Sequence, residues 1–164
     1  MSTIAAISTG RAPGGIGVVR ISGEDAIKIG DKIFSSFNGK KLCEIDGYSA
    51  LYGKAHDVES DIDTVVALLF RAPKSYTGEN VVEISCHGGL FVTDKVLKSA
   101  FQAGAIPAEA GEFTKRAFLN GKMDLTSAES VMNVISAQGE QAEKIALGVL
   151  EGRLFKEIKG ITDK

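Results

Sequence analysis

The run Tyr76-Thr77-Gly78-Glu79-Asn80-Val81-Val82-Glu83-Ile84-Ser85-Cys86-His87-Gly88-Gly89 most narrows what this chain can fold into, because it sets one carboxylate inside an otherwise apolar strand and closes on paired glycines. Side chains alternate across a strand, so Val82, Ile84 and Cys86 share one face while Val81, Glu83 and Ser85 share the other. The first face reads as core and the second as a site. Two readings of Glu83 stay open at this point. On a solvated face it is the polar half of an amphipathic strand. On an enclosed face its carboxylate requires donors, because an unpaired buried charge costs several kcal/mol, and a flat heterocycle with adjacent N–H groups would supply them. His87 is ambiguous too, since a lone histidine before Gly88-Gly89 is more often a turn residue making a backbone hydrogen bond than a base or a metal ligand.

Around this motif the composition is that of a globular protein. The chain has 164 residues, 44% hydrophobic and 24% charged, with a net charge of −2. Such a chain buries a core and carries no overall basic footprint for nucleic acid. The length suits either one ordinary domain or a domain of roughly 110 to 120 residues with a helical appendage. Cys43 and Cys86 lie in different segments and form no Cys-x-x-Cys pair, so no zinc site is expected. Residues 1–7 show no basic leader with a long apolar core, and no apolar run reaches the roughly 18 residues of a spanning helix. A reduced, cytoplasmic protein with no membrane segment is the expectation.

Residues 3–8 form a β-prone run, followed by the breaker-rich loop Thr9-Gly10-Arg11-Ala12-Pro13-Gly14-Gly15 and the β-branched segment 16–22. Ser22 is placed to cap a helix with apolar positions Ala26, Ile27, Ile29, Ile33 and Phe34, ending near Ser35. Residues 49–56 and 64–70 read as a hairpin joined by a turn at 57–61, and 90–103 as a helix, with a short extended piece at Ile106-Pro107. Past Gly111 strand formers give way to helix formers. Thr126-Ser127-Ala128-Glu129 fits a capping box, and a further helical pattern covers 141–158. The domain boundary is expected at about 119/120. The last helix shows an apolar face with no later segment to cover it, which points to a longer protein or to dimerisation.

The glycine loop invites a nucleotide reading that the residues reject. A P-loop needs Gly-Lys-Ser or Gly-Lys-Thr opening a helix, yet Gly39-Lys40, Gly53-Lys54 and Gly121-Lys122 are followed by Lys41, Ala55 and Met123. Another block, from Gly111-Glu112-Phe113-Thr114-Lys115-Arg116 to Asn120-Gly121-Lys122-Met123-Asp124-Leu125, reads as a short solvated helix carrying Lys115 and Arg116. Its Asn120-Gly121 turn alternatively presents Lys122 as a point charge for a carboxylate-bearing ligand.

Taken together, the segments Thr3-Ile4-Ala5-Ala6-Ile7-Ser8-Thr9, Gly14-Gly15-Ile16-Gly17-Val18-Val19-Arg20-Ile21-Ser22-Gly23, the 76–89 block and the 111–125 block with Ala128-Glu129 resemble the N-terminal part of the MnmE (TrmE) family of bacterial and organellar tRNA-modification GTPases. The resemblance covers essentially the whole chain, most weakly at 38–62 and after 140. It implies an α+β, sandwich-like domain over 1–119, related to the tetrahydrofolate-binding domains of the glycine-cleavage T-protein, and the start of an α-helical domain over 120–164. It also implies a homodimer through the N-terminal domain, with 5-formyltetrahydrofolate or a related folate held near the interface. The family's folate-contacting arginine, glutamate and lysine fall on Arg20, Glu83 and Lys122. The loop Gly10-Arg11-Ala12-Pro13 departs from the family's more usual proline-glycine order.

For the complete family protein, the resemblance implies GTP hydrolysis with magnesium and potassium in a separate GTPase domain, and a C-terminal cysteine motif. It further implies action with a flavin-dependent partner of the MnmG/GidA family on C5 of the wobble uridine of certain tRNAs. No catalytic residue and no metal ligand is assigned to the present segment. Two rival readings remain: a stand-alone protein-interaction module without folate binding, and a self-sufficient folate-dependent aminomethyltransferase.

Overall fold

Period-two alternation in three central segments produces the sheet on which everything else rests. In the computed structural model, which describes residues 1–10, 12–137 and 147–150, the strands are β1 (Ile4–Ile7), β2 (Ile16–Ser22), β3 (Phe34–Ser36), β4 (Ser49–His56), β5 (Asp61–Phe70), β6 (Val81–His87) and β7 (Ile106–Pro107). They pair in the order β3-β4-β5-β6-β2-β1-β7, antiparallel throughout except for the parallel β1–β7 edge. The architecture is α+β, with helices α1 (Ala26–Ile33) and α2 (Leu90–Gln102) in the first unit and α3 (Glu112–Leu119) and α4 (Leu125–Ser136) in the second. The first unit is Met1–Ala110, and the second begins at Gly111. That division precedes the expected 119/120 boundary because α3 and α4 pack together in one unit.

One sheet face is covered. Val19 and Ile21 of β2, Val82, Ile84 and Cys86 of β6, and Val65, Ala67 and Leu69 of β5 join Ile29 and Ile33 of α1 and Val96 and Ala100 of α2 in a single buried cluster. The register sets Val19 opposite Ile84 and Ile21 opposite Val82, so the apolar halves of the two strands coincide. Gly17 lets α2 close on the sheet, since a Cβ there would lie 2.5 Å from Thr93 Oγ1.

Three local expectations are corrected. Ser22 does not cap α1; it ends β2 with its hydroxyl buried, and α1 begins after Asp25, whose side chain makes no capping bond. The helix stops at Ile33, and Phe34–Ser36 forms an edge strand on β4, because Phe34 is pulled into the core opposite Ala55. At α4 the cap is Asp124 rather than Thr126: its carboxylate accepts the Ser127 N–H at 2.7 Å. Of the helix expected over 141–158, only 147–150 fall within the described residues, and they are helical. Among the described residues no helix is long and apolar enough to cross a membrane.

Candidate functional site

The other face of the β2–β6 pair carries the polar half of the alternation. Arg20 and Glu83 are register partners on adjacent strands, and Arg20 Nε donates to Glu83 Oε1 at 2.7 Å. Their side chains keep 25% and 20% of their surface exposed. The pair is therefore shielded enough to hold its geometry and open enough to meet a ligand. The Tyr76 ring, reached by the loop before β6, lies 5.5 Å from the Arg20 guanidinium carbon, within cation–π range.

The loop leading into β6 is pinned beside this pair. Ser22 Oγ donates to Glu79 Oε2 at 2.7 Å, so its 2.8 Å bond with Thr77 Oγ is one it accepts. Ser75 Oγ donates to the Glu79 carbonyl, and Asn80 Oδ1 accepts from Ala72 N. Ser22 and Thr77 are buried, so this hydroxyl–carboxylate chain fixes the loop from beneath and holds Tyr76 over Arg20.

At the far end of β6, His87 is fixed differently from the backbone bond a turn histidine would make. Its ring Nδ1 lies 2.8 Å from Asp63 Oδ1, and its backbone N–H donates to Asp63 Oδ2 at 2.7 Å. Burial alone would raise the Asp63 carboxyl, but the His87 backbone and ring bonds and the Thr64 N–H outweigh it and hold the group below its ordinary value of 3.8. The paired glycines after His87 serve close approach: a Cβ on Gly88 would sit 2.5 Å from the Gly14 carbonyl oxygen, and Gly14 N–H donates to the Gly88 carbonyl. The glycine loop and the end of the 76–89 motif are thus one packed junction. Cys86 belongs to the core, where burial pushes its thiol up.

Lys122 stands in the second unit, exposed in the turn after α3, where Gly121 adopts a φ of 68° and Lys122 N–H donates to the Ala117 carbonyl. The structure thus brings Arg20 and Glu83 together within the first unit. Arg116, expected on a solvated helix, is instead buried and bonds Glu112 Oε1 through Nη2 at 2.8 Å, an i,i+4 pair. Among the described residues no group of three or more His, Cys, Asp or Glu could hold a metal ion. Hollows of about 540 and 380 Å³ occur in the first unit, the former lined by residues such as Lys28, Asp31 and Lys41 and the latter by Lys32, His56 and Ser99. Neither of these two includes Arg20 or Glu83.

Sequence reasoning missed Asp63, the Tyr76 ring and the Ser22–Thr77–Glu79 chain. Tyr76 was within reach, since it opens the Glu83 motif. Asp63 carried no local signal, because its bond to His87 spans 24 positions.

Comparison with known proteins places these features in a family. Residues 3–122 match the family described as GTP-binding protein TrmE N-terminus. The tRNA modification GTPase MnmE of Clostridioides difficile (strain 630) is 48% identical over 162 residues, covering 99% of this chain and 35% of that protein. Its counterpart from Lachnoclostridium phytofermentans is 49% identical over 160 residues, covering 97% of this chain and 35% of that protein. For Bacillus subtilis (strain 168) the figures are 46% over 156 residues, 94% and 34%. The chain therefore spans about a third of the length of the curated relatives it matches. Since the family match runs unbroken from β1 through the Arg20–Glu83 strands to the Lys122 turn, the chain belongs to the TrmE N-terminus family, as the N-terminal part of an MnmE-type protein.

Proposed function

We propose that the first unit binds a reduced folate, 5-formyltetrahydrofolate or a close relative, as a one-carbon donor for tRNA modification. The observation that carries this reading is the half-shielded Arg20–Glu83 pair on the sheet face opposite the helices. A pterin edge presents a ring N–H beside an exocyclic amino group, and a carboxylate offers about four acceptor sites, of which the Arg20 Nε bond takes one. Glu83 then accepts two parallel charge-assisted bonds, each worth about 1.5 to 3 kcal/mol. Arg20 and Tyr76 supply the cation and the flat ring beside them, and Lys122 the charge for a ligand oxygen. When bound, the folate supplies the one-carbon unit; the residues of this chain hold and orient it.

We assign the remaining activities to the complete protein. The relatives are named tRNA modification GTPases, and their length is about three times the matched segment. We read GTP hydrolysis, with its magnesium and potassium, as belonging outside the segment, a reading supported by its lack of a Gly-Lys-Ser or Gly-Lys-Thr motif. Pairing of two copies through the first unit, cooperation with a flavin-dependent MnmG/GidA-type partner and action on the wobble uridine of tRNA in the cytoplasm complete the reading.

Isothermal titration with 5-formyltetrahydrofolate tests the folate assignment. Saturable binding by the native chain, lost in Glu83→Ala with the thermal transition retained, is the expected result. Equal affinity in the two proteins would overturn it, and the absence of saturable binding would favour the interaction-module reading.

A further inference from the structure

Arg20 is gripped by two different groups. Its Nε donates to Glu83 Oε1 at 2.7 Å, and the Tyr76 ring, 40% exposed, lies 5.5 Å from its guanidinium carbon. A ligand bonded to Glu83 therefore lies one guanidinium away from a flat aromatic surface. Glu83 owes its place to the β2–β6 register. Tyr76 belongs to the loop between β5 and β6, and that loop has to fix the ring by other means.

The means is a closed circuit of hydrogen bonds. Thr77 Oγ1 donates to Ser22 Oγ at 2.8 Å, Ser22 Oγ donates to Glu79 Oε2 at 2.7 Å, and the Glu79 backbone N–H returns to Thr77 Oγ1 at 3.3 Å. Within the circuit each hydroxyl accepts once and donates once, and the bond onto the carboxylate is charge-assisted. On the other side of Tyr76, Ser75 Oγ donates to the Glu79 carbonyl at 2.6 Å. Tyr76 thus stands between two tethered neighbours. Ser22 follows Arg20 by two positions on the same face of β2, so the circuit is anchored on the strand that carries the cation.

Covering the end of the sheet does not by itself call for these groups. Ser22 and Thr77 have no exposed surface, and apolar side chains of the same shape would fill their places without the cost of desolvating two hydroxyls. What a connected polar circuit adds is a single geometry.

We propose that Ser22, Thr77 and Glu79 are positioning residues of the ligand site, which act by holding the Tyr76 ring against Arg20 as a wall for the flat head of the ligand. The proposal rests on the folate reading above and extends it to residues that act through Tyr76.

The test is a double-mutant cycle on the full chain, with the affinity for 5-formyltetrahydrofolate measured by titration. Tyr76→Ala is expected to weaken binding about tenfold, the scale of one lost aromatic contact. Thr77→Val, which removes the hydroxyl and keeps the shape, is expected to weaken it about fivefold, and Thr77→Ser to restore it. In the Tyr76→Ala background, Thr77→Val is expected to add no further loss. A fall in the thermal midpoint is common to any broken buried bond, whereas this dependence on the Tyr76 ring is not. If Thr77→Val does not fold, Ser75→Ala, which releases the other neighbour of Tyr76 at a half-buried position, takes its place in the same cycle with the same expected outcome. Native affinity in Tyr76→Ala, native affinity in the hydroxyl variant, or an equal loss with and without the ring overturns the positioning role. Each of these leaves the folate reading in place, since that reading is judged by Glu83→Ala. If the native chain shows no saturable binding, the folate reading fails and this proposal falls with it.

Discussion

The two faces of the central sheet are built from the same strands and do opposite work. On the covered face, Val19, Ile21, Val82 and Ile84 are fully buried against α1 and α2. On the open face, the intervening positions are Val18, Arg20, Glu83 and Ser85, all only partly buried, with Tyr52 and Val66 exposed farther along the sheet. A one-residue slip between β2 and β6 would exchange these sets, so the core that fixes the register also delivers Arg20 to Glu83. The comparison separates stability from recognition: the covered face holds the fold, and the open face holds charges that the fold can spare.

That separation is broken most directly by truncating a residue on each side. Ile84→Ala deletes three carbons from a fully buried position and is expected to destabilise by about 2 to 5 kcal/mol, measured by denaturant unfolding. Gly88→Ala, where the faces meet the glycine loop, introduces a Cβ 2.5 Å from one backbone oxygen and 2.8 Å from the Ile16 backbone. Neither neighbour is the end of a flexible side chain, so about 1 to 3 kcal/mol is expected. If Gly88→Ala left the unfolding midpoint in place, the close packing of the two glycine segments would be refuted.

On the open face the expected numbers shrink. A double-mutant cycle on Arg20→Ala and Glu83→Ala should return a coupling of about 0.5 to 1 kcal/mol, because the pair retains access to water and its attraction is screened. The comparison becomes sharper if ligand affinity collapses in the same variants. A coupling as large as the Ile84→Ala effect would show instead that the pair is part of the structural core.

Much of this was legible in the residues. The alternation at 81–87 named the core set of β6, Val82, Ile84 and Cys86. Arg20 and Glu83 emerged from the family motifs, and their pairing needed the β2–β6 register, which no local pattern contains. What failed did so where tertiary contact overrode local preference. Ser22 has the chemistry of a helix cap, but Thr77 and Glu79, more than fifty positions away, recruit its hydroxyl to the loop beneath Tyr76. Phe34 continues an apolar helical spacing, but pairing with Ala55 draws it into a strand. Arg116 reads as a surface cation until Glu112, one turn earlier, is seen to accept from its buried guanidinium.

Asp63 crosses the boundary between the faces and gives the smallest predicted effect. Its alternation follows Val65, Ala67 and Leu69 on the covered side, opposite Ala55, while its partner His87 continues the open-face series of Glu83 and Ser85. Its carboxyl is held below 3.8, the ordinary value, chiefly because the His87 and Thr64 donors outweigh burial. A carboxyl lowered in the folded state leaves the unfolded chain binding more protons over the interval between the two values. The stability it contributes is therefore present above about pH 4 and is lost as the pH falls through the folded value. Asp57 and Asp124 are lowered by backbone donors in the same sense, so Asp63→Asn should reduce the acid slope of the unfolding midpoint without abolishing it. An unchanged slope between pH 2 and 5 in Asp63→Asn would mean that the His87 contact adds nothing across the sheet's end, and the two faces would be independent there as well.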